Sequence, residues 1–142
     1  MKKCGILNSD LMGELTKLRH KDKVLLCDVG FPIPAGAKIV DVSLVAGVPD
    51  MMTTLKAVLN EIIVEECAVS GSMSDRNPEY FQNCKEIFKA QTFKELPGQE
   101  FVSYANDAKL FVRTGEFKPY SNILLVSASG VPEVSSSFDI SF

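Results

Sequence analysis

The chain has 142 residues, of which 46% are hydrophobic and 23% charged, values typical of one globular domain and not of a disordered or fibrous chain. Fifteen Lys and Arg against eighteen Asp and Glu give a net charge of -3. This balance argues against a nucleic-acid-binding domain, which concentrates basic residues on one face. No apolar run approaches the ~20 residues of a membrane span, and no secretion signal is expected near Met1.

The cysteine and histidine content bears on metals and disulfides. The four cysteines lie far apart and form no CxxC pair, and the chain has one histidine. Zinc sites need clustered Cys and His ligands, and disulfide scaffolds are denser in cysteine. We therefore expect a reduced cytoplasmic protein without a metal site.

The first half of the chain alternates between helical and strand patterns. Ser9 and Asp10 offer an N-cap and a first-turn acid, and the leucines that follow at helical spacing predict a helix that ends near Arg19 and His20. The next predicted elements are a strand over 24–27, a strand over 38–44, a helix opened by 47–50 and a strand that starts at 62.

The second half continues this alternation and fixes the expected fold class. The predicted elements are a polar loop over 70–77, a helix from Pro78, strands over 100–104, 110–114 and 123–127, and a Ser-rich tail after Gly130. Helices between strands rich in Val, Ile and Leu predict an α/β fold with a largely parallel sheet. We expect one domain over 1–142, in which 131–142 is a tail extension.

Ligands of such sheets bind in the crevice at the carboxyl ends of the strands. This rule selects Asp28, just after the first strand, and the two corners 113–116 and 119–122. The sequence has no GxGxxG, GxxxxGK[ST] or GxSxG motif, which disfavours nucleotide binding and Ser-His-Asp hydrolysis.

Each candidate residue also has a purely structural interpretation. His20 is suited to the end of a helix, where a cation is stabilising. Asp28 beside Gly30 is suited to an Asx-turn, and Tyr120 and Asn122 are suited to the entry of a strand. The residue types alone leave these alternatives open.

Several short segments occur in a fixed order along the chain: Lys2-Lys3, Leu7-Asn8-Ser9-Asp10, His20 with Asp22, Cys27 to Pro34, Gly47-Val48-Pro49, Arg113-Thr114-Gly115-Glu116 and Pro119 to Leu125. This ordered set resembles the family of D-ribose pyranase and L-fucose mutarotase, and the run 30–34 is more similar to its pyranase branch.

The resemblance implies a fold, an activity and residue roles. It implies a three-layer α/β/α sandwich that interconverts ring forms of a monosaccharide without a cofactor. His20 would donate a proton, while Asp28, Tyr120 and Asn122 would bind the sugar. It also implies a homo-oligomer, of pentameric rings or a decamer, with sites between subunits.

Three departures from the family pattern fall near the expected pocket. Arg19 stands where the pyranases usually have Gly. Tyr104 stands where the family has a second, sugar-contacting histidine, so it would either bind the sugar in place of that histidine or turn away and pack in the loop. The segment 105–109 is shortened. These departures put the identity of the sugar in question more than the fold.

The chemistry suits these residue types. Opening a hemiacetal removes a proton from the anomeric hydroxyl and delivers one to the ring oxygen, and an imidazole can exchange protons near neutral pH. A non-catalytic sugar-binding or regulatory protein and an L-fucose mutarotase remain the alternatives, and His20 favours an enzyme because a pure binder needs no titrating group there.

Overall fold

A computed structural model describes residues 1–131 and 138 and contains one six-stranded sheet flanked by helices. The elements in chain order are α1 (Ser9–Leu15), β1 (Lys23–Cys27), β2 (Ile39–Asp41), α2 (Met51–Leu59), β3 (Val64–Ser70), α3 (Ser72–Arg76), α4 (Pro78–Ile87), β4 (Thr92–Leu96), α5 (Gly98–Ala105), β5 (Leu110–Arg113) and β6 (Ile123–Ser127).

The strand order across the sheet is β2-β5-β1-β6-β3-β4. β1 pairs in parallel with β5, β5 with β2 and β3 with β4, whereas β6 is antiparallel to both β1 and β3. Among the strands described, β6 alone is reversed, which confirms a largely parallel sheet. Because β6 is reversed, its first residue, Ile123, pairs with Leu26 near the end of β1.

Both faces of the sheet are covered, as the alternation of β1 shows. Val24 and Leu26 pack into the larger core with α1, α2 and α4, while Leu25 and Cys27 pack into a smaller core with α5. All four side chains are fully buried. This two-sided burial explains the continuous apolar run of β1. It also confirms the three-layer α/β/α arrangement.

The region around 100–104 is helical, so the strand predicted there is wrong. Phe101 and Ala105 lie four residues apart, and both are buried on the face of α5 that packs against the sheet. That spacing is helical, but the aromatic residues of the segment also favour a strand. The actual strand is β4, at the sheet edge, where none of its residues is fully buried and the sequence pattern is correspondingly weak.

Other boundaries differ by smaller amounts. α1 begins at Ser9, and the side chain of Asn8 caps it by accepting the Leu11 N–H at 2.9 Å. The helix ends at Leu15, well before His20, which therefore lies in a turn. β2 covers only Ile39–Asp41, and the predicted polar loop 70–77 contains the short helix α3.

No helix in the described part of the chain combines the length and apolar character of a bilayer-crossing segment. Most of the expected tail extension, at 132–137 and 139–142, lies outside the described residues.

Candidate functional site

Asp28 and Asn122 meet at the carboxyl edge of the sheet, because one follows β1 and the other precedes the reversed strand β6. Asn122 Oδ1 accepts the Asp28 N–H at 2.9 Å, and Asn122 Nδ2 donates to Asp28 Oδ2 at 3.1 Å. The Gly30 N–H donates to Asp28 Oδ1 at 3.0 Å. Both carboxylate oxygens are therefore held by neutral donors, and Asp28 is 7% exposed.

These two residues line a cleft of about 290 Å³. Ser70 and Ser72, at the end of β3 and the start of α3, add hydroxyl groups to its lining. The lining also includes the apolar side chains of Phe31, Phe101 and Val102. A concave site with an apolar wall and a few convergent polar groups is typical of small-molecule binding.

Tyr120 reaches the same cleft from the turn before β6. Its φ of 59° lies in the left-handed region, which is uncommon for a residue other than glycine and is held here by the surrounding loop. Ser121 is fully buried, donates to the Lys118 carbonyl at 2.8 Å and accepts from Asn77 Nδ2 at 2.9 Å. These contacts hold the turn in place while Tyr120 remains 42% exposed.

A buried carboxylate, Glu116, stabilises the loop that carries Tyr120. Its Oε2 accepts from the Tyr80 hydroxyl at 2.6 Å and from the Met51 N–H at 3.2 Å, and its Oε1 accepts the Lys118 N–H at 2.9 Å. Burial raises the pKa of Glu116, but these hydrogen bonds outweigh it, and its pKa lies below the usual range. The ionised side chain thus connects the loop to the start of α2 and to α4.

His20 lies at the opposite edge of the sheet, in the turn between α1 and β1. Its Nε2 is 3.1 Å from Glu65 Oε2, and its side chain is 49% exposed. The six residue steps from Asp22 to Asp28 along β1 correspond to about 20 Å. Within one chain, His20 therefore does not meet Asp28, Tyr120 and Asn122.

Tyr104 also lies away from the cleft. Its hydroxyl donates to Glu66 Oε1 at 2.6 Å, and its ring centroid is 3.9 Å from the Nζ atom of Lys23, the first residue of β1. Burial and the Glu66 carboxylate raise the pKa of the Tyr104 phenol. In the cleft, α5 instead places Gly98, Phe101 and Val102.

A sequence profile described as the RbsD / FucU transport protein family matches residues 1–131. The chain belongs to this family.

Relatives in the RbsD / FucU family carry names that describe an enzyme. The chain is 37% identical over 128 residues to the D-ribose pyranase of Kosmotoga olearia, a match that covers 89% of this chain and 97% of the relative. It is 41% identical over 125 residues to the D-ribose pyranase of Streptomyces avermitilis, covering 88% and 95%.

Solved structures agree with this membership. Bacillus subtilis RbsD complexed with D-ribose superimposes with a TM-score of 0.85 at 37% identity, covering 90% of this chain and 98% of that one. The fucose mutarotase of Streptococcus pneumoniae in complex with L-fucose gives a TM-score of 0.72 at 22% identity, covering 86% and 93%, and shows the shared fold.

The sequence does not predict two features of this RbsD / FucU family member. The corner 113–116 is selected by its position after a strand, but nothing in the pattern indicates that Glu116 is buried. The apolar residues that α5 adds to the cleft are not predicted, because the pattern over 100–104 indicates a strand. The four-residue spacing of Phe101 and Ala105 is the signal that indicates a helix there.

Arg19, which stands where the pyranases usually have Gly, donates from its guanidinium to the carbonyls of Thr16 and Leu18.

Proposed function

We propose that the protein is an isomerase that interconverts the ring forms or anomers of a monosaccharide, with D-ribose or a near relative as substrate. The observation that carries this proposal is the paired Asp28 and Asn122 at the cleft. Support comes from a fold that superimposes with a TM-score of 0.85 on a relative complexed with D-ribose. The names of the relatives at 37–41% identity point to the same activity.

Asp28, Asn122 and Tyr120 bind the sugar hydroxyls in this proposal. Each oxygen of an ionised carboxylate can accept two hydrogen bonds, and each Asp28 oxygen already accepts one from the protein side chain or backbone. One acceptor position on each oxygen is therefore left for a sugar hydroxyl. The Tyr120 phenol adds a group that both donates and accepts.

His20 supplies the proton in this proposal. Ring opening breaks the bond between the anomeric carbon and the ring oxygen; the ring oxygen gains a proton from His20, and the anomeric hydroxyl loses one to a carboxylate or a water molecule. Ring closure on the other face, or through another hydroxyl, reverses these transfers. A positioned imidazole accelerates such transfers by roughly 10²–10⁴-fold.

A closed homo-oligomer would bring His20 and the cleft together. We infer pentameric rings or a decamer in which His20 of one subunit faces the cleft of the next. The separation of the two edges within one chain supports this inference. Exposed apolar side chains on the segments after β2 and β5, at the same edge of the sheet as the cleft, also support it: Leu44, Val45 and Phe117 are 78%, 61% and 68% exposed. Their segments are joined by the Gly47 N–H, which donates to the Gly115 carbonyl at 2.6 Å.

The state of the cysteines supports a cytoplasmic location. Cys27, Cys67 and Cys84 are buried and free, and burial raises the pKa of the Cys27 and Cys84 thiols to about 12. Free thiols are characteristic of proteins in reducing compartments.

NMR saturation transfer across a panel of aldoses tests the activity. The proposal predicts enzyme-dependent exchange between ring forms or anomers, strongest for D-ribose or a close relative. Sugar binding without any accelerated exchange would show a non-catalytic sugar-binding protein instead. A strong preference for L-fucose would assign the protein to the mutarotase branch.

A further inference from the structure

The strand β3 is irregular at Glu65. Val64 pairs with Ser127 and Glu66 with Val126, so Glu65 is an extra residue between two paired positions. A bulge of this kind redirects a side chain out of the regular alternation of a strand. Val64 remains fully buried in the larger core, and the Glu65 carboxylate reaches the turn that carries His20.

The turn around His20 is fixed by its own contacts. Lys21 has a φ of 70°, and its N–H donates to the Ser127 carbonyl at 2.9 Å. The Asp22 carboxylate accepts from the Arg19 N–H and from Lys109 Nζ, both at 2.6 Å. The backbone on both sides of His20 is therefore held, and what remains to be fixed is the orientation of the imidazole ring.

Glu65 is placed to fix that orientation. Its Oε1 accepts from the Lys21 ammonium, and its Oε2 lies 3.1 Å from His20 Nε2. The Glu65 side chain is only 12% exposed, against 49% for His20. Burial raises the pKa of Glu65, but the hydrogen bonds from Lys21 and His20 outweigh it, and its pKa lies below the usual range.

We propose that Glu65 is a positioning residue for His20, which holds the ring through Nε2 and leaves Nδ1 to exchange the proton with the sugar. This inference rests on the proposed function, in which His20 is the proton donor. An ionised carboxylate only accepts hydrogen bonds, so Nε2 keeps its hydrogen in both protonation states of the ring. The proton delivered to the ring oxygen then leaves from Nδ1 and returns there when the ring closes.

The charge of Glu65 also compensates that of the imidazolium at the stage when His20 holds the extra proton, as carboxylates do for other catalytic histidines. The other charged residues of this turn are Arg19, Lys21 and Asp22, and Lys109 contacts the turn through Asp22. Among the described residues, Glu65 is the side chain that is hydrogen-bonded to the imidazole.

Glu65→Gln tests the proposal, with Glu66→Gln as a matched control. Glu66 is the next residue of the same strand, and it also accepts one hydrogen bond and forms one ion pair, with Tyr104 and Lys94. Both variants should therefore lose similar thermal stability. Glu65→Gln should lower kcat for sugar exchange about tenfold or more with little change in KM, as part of the acid–base contribution, whereas Glu66→Gln should not.

Two further readouts separate positioning from a general structural effect. In a His20→Asn background, Glu65→Gln should cause no additional loss of rate, because Glu65 acts through the imidazole. The chain has one histidine, so ring signals in ¹³C relaxation measurements report on His20 alone. Glu65→Gln should make this ring more mobile than it is in the wild type and in Glu66→Gln.

The outcomes distinguish this inference from the function on which it rests. A wild-type protein that exchanges no aldose would overturn the proposed function, and the ring measurement would still decide whether Glu65 orders His20. An active wild type in which Glu65→Gln matches Glu66→Gln in kcat and ring mobility would overturn the role of Glu65 alone. Additive losses in the double variant would also overturn it.

Discussion

Asn122 makes two hydrogen bonds with Asp28, one as acceptor and one as donor: its Oδ1 accepts the Asp28 N–H at 2.9 Å, and its Nδ2 donates to Asp28 Oδ2 at 3.1 Å. The two residues are 94 positions apart in sequence. The reversed strand β6 places them side by side at the edge of the sheet. The antiparallel pairing of β6 with β1 therefore brings Asn122 to the position from which it orients the Asp28 carboxylate.

Replacing Asn122 by Ala should weaken sugar binding, because the Asp28 carboxylate loses the amide that orients it. The variant also leaves the partly buried Asp28 N–H without an acceptor, which costs about 1–3 kcal/mol of unfolding free energy. Equilibrium denaturation and sugar titration measure the two effects. Asn106→Ala, at the end of α5, is the control, and an Asn122→Ala protein with unchanged sugar affinity would contradict the assignment.

Tyr120→Phe and Tyr104→Phe should have different consequences. Loss of the Tyr120 hydroxyl removes one hydrogen bond to the sugar and should weaken the free energy of binding by about 0.5–1.5 kcal/mol. Loss of the Tyr104 hydroxyl breaks its bond to Glu66 and should lower stability by a similar amount without changing the preference among aldoses. A changed aldose profile in Tyr104→Phe would place Tyr104 in the functional site.

Tyr120 and Tyr104 illustrate which parts of the candidate site can be predicted from the sequence and which cannot. Asp28, Tyr120 and Asn122 could be selected because they follow or precede buried strands, and the structure brings them together. The sequence predicts a strand at Tyr104 where the structure has α5, because a short amphipathic helix and a strand have overlapping aromatic patterns over five residues. The separation of His20 and Asp28 follows from the strand predicted over 24–27, because the two residues lie beyond opposite ends of it.

The acid sensitivity of the loop that carries Tyr120 should depend on Glu116. The hydrogen bonds that Glu116 accepts hold its pKa in the folded protein below the ordinary value of 4.5 for a glutamate side chain, although burial alone would raise it. Its contribution to stability is therefore present above the unfolded pKa and is lost as the pH falls through the lower, folded value. Glu116→Gln should be less stable than the wild type at pH 7, and this difference should narrow as the pH falls below about 4.5.

Thermal unfolding of both proteins between pH 7 and pH 3 measures this dependence. Tyr80→Phe serves as a companion variant, because it removes one donor to Glu116 and leaves the carboxylate in place. A stability difference between wild type and Glu116→Gln that stays constant over this pH range would mean that the charge of Glu116 contributes nothing.

Subunit mixing tests whether the site is shared. His20→Asn and Asp28→Asn should each be inactive alone. In mixed oligomers, some sites combine an intact His20 from one variant with an intact cleft from the other. Random 1:1 assembly of two-subunit sites predicts recovery of about a quarter of the wild-type rate. No recovery in oligomers shown to be mixed would mean that each chain builds its own site.

The exchange rate of D-ribose ring forms, measured by NMR saturation transfer with wild-type protein and with His20→Asn, tests the central claim most directly. The wild type should accelerate exchange, and His20→Asn should bind the sugar while losing about two to four decades of that acceleration. Exchange at the full wild-type rate in His20→Asn, for D-ribose or whichever aldose the wild type prefers, would contradict the account.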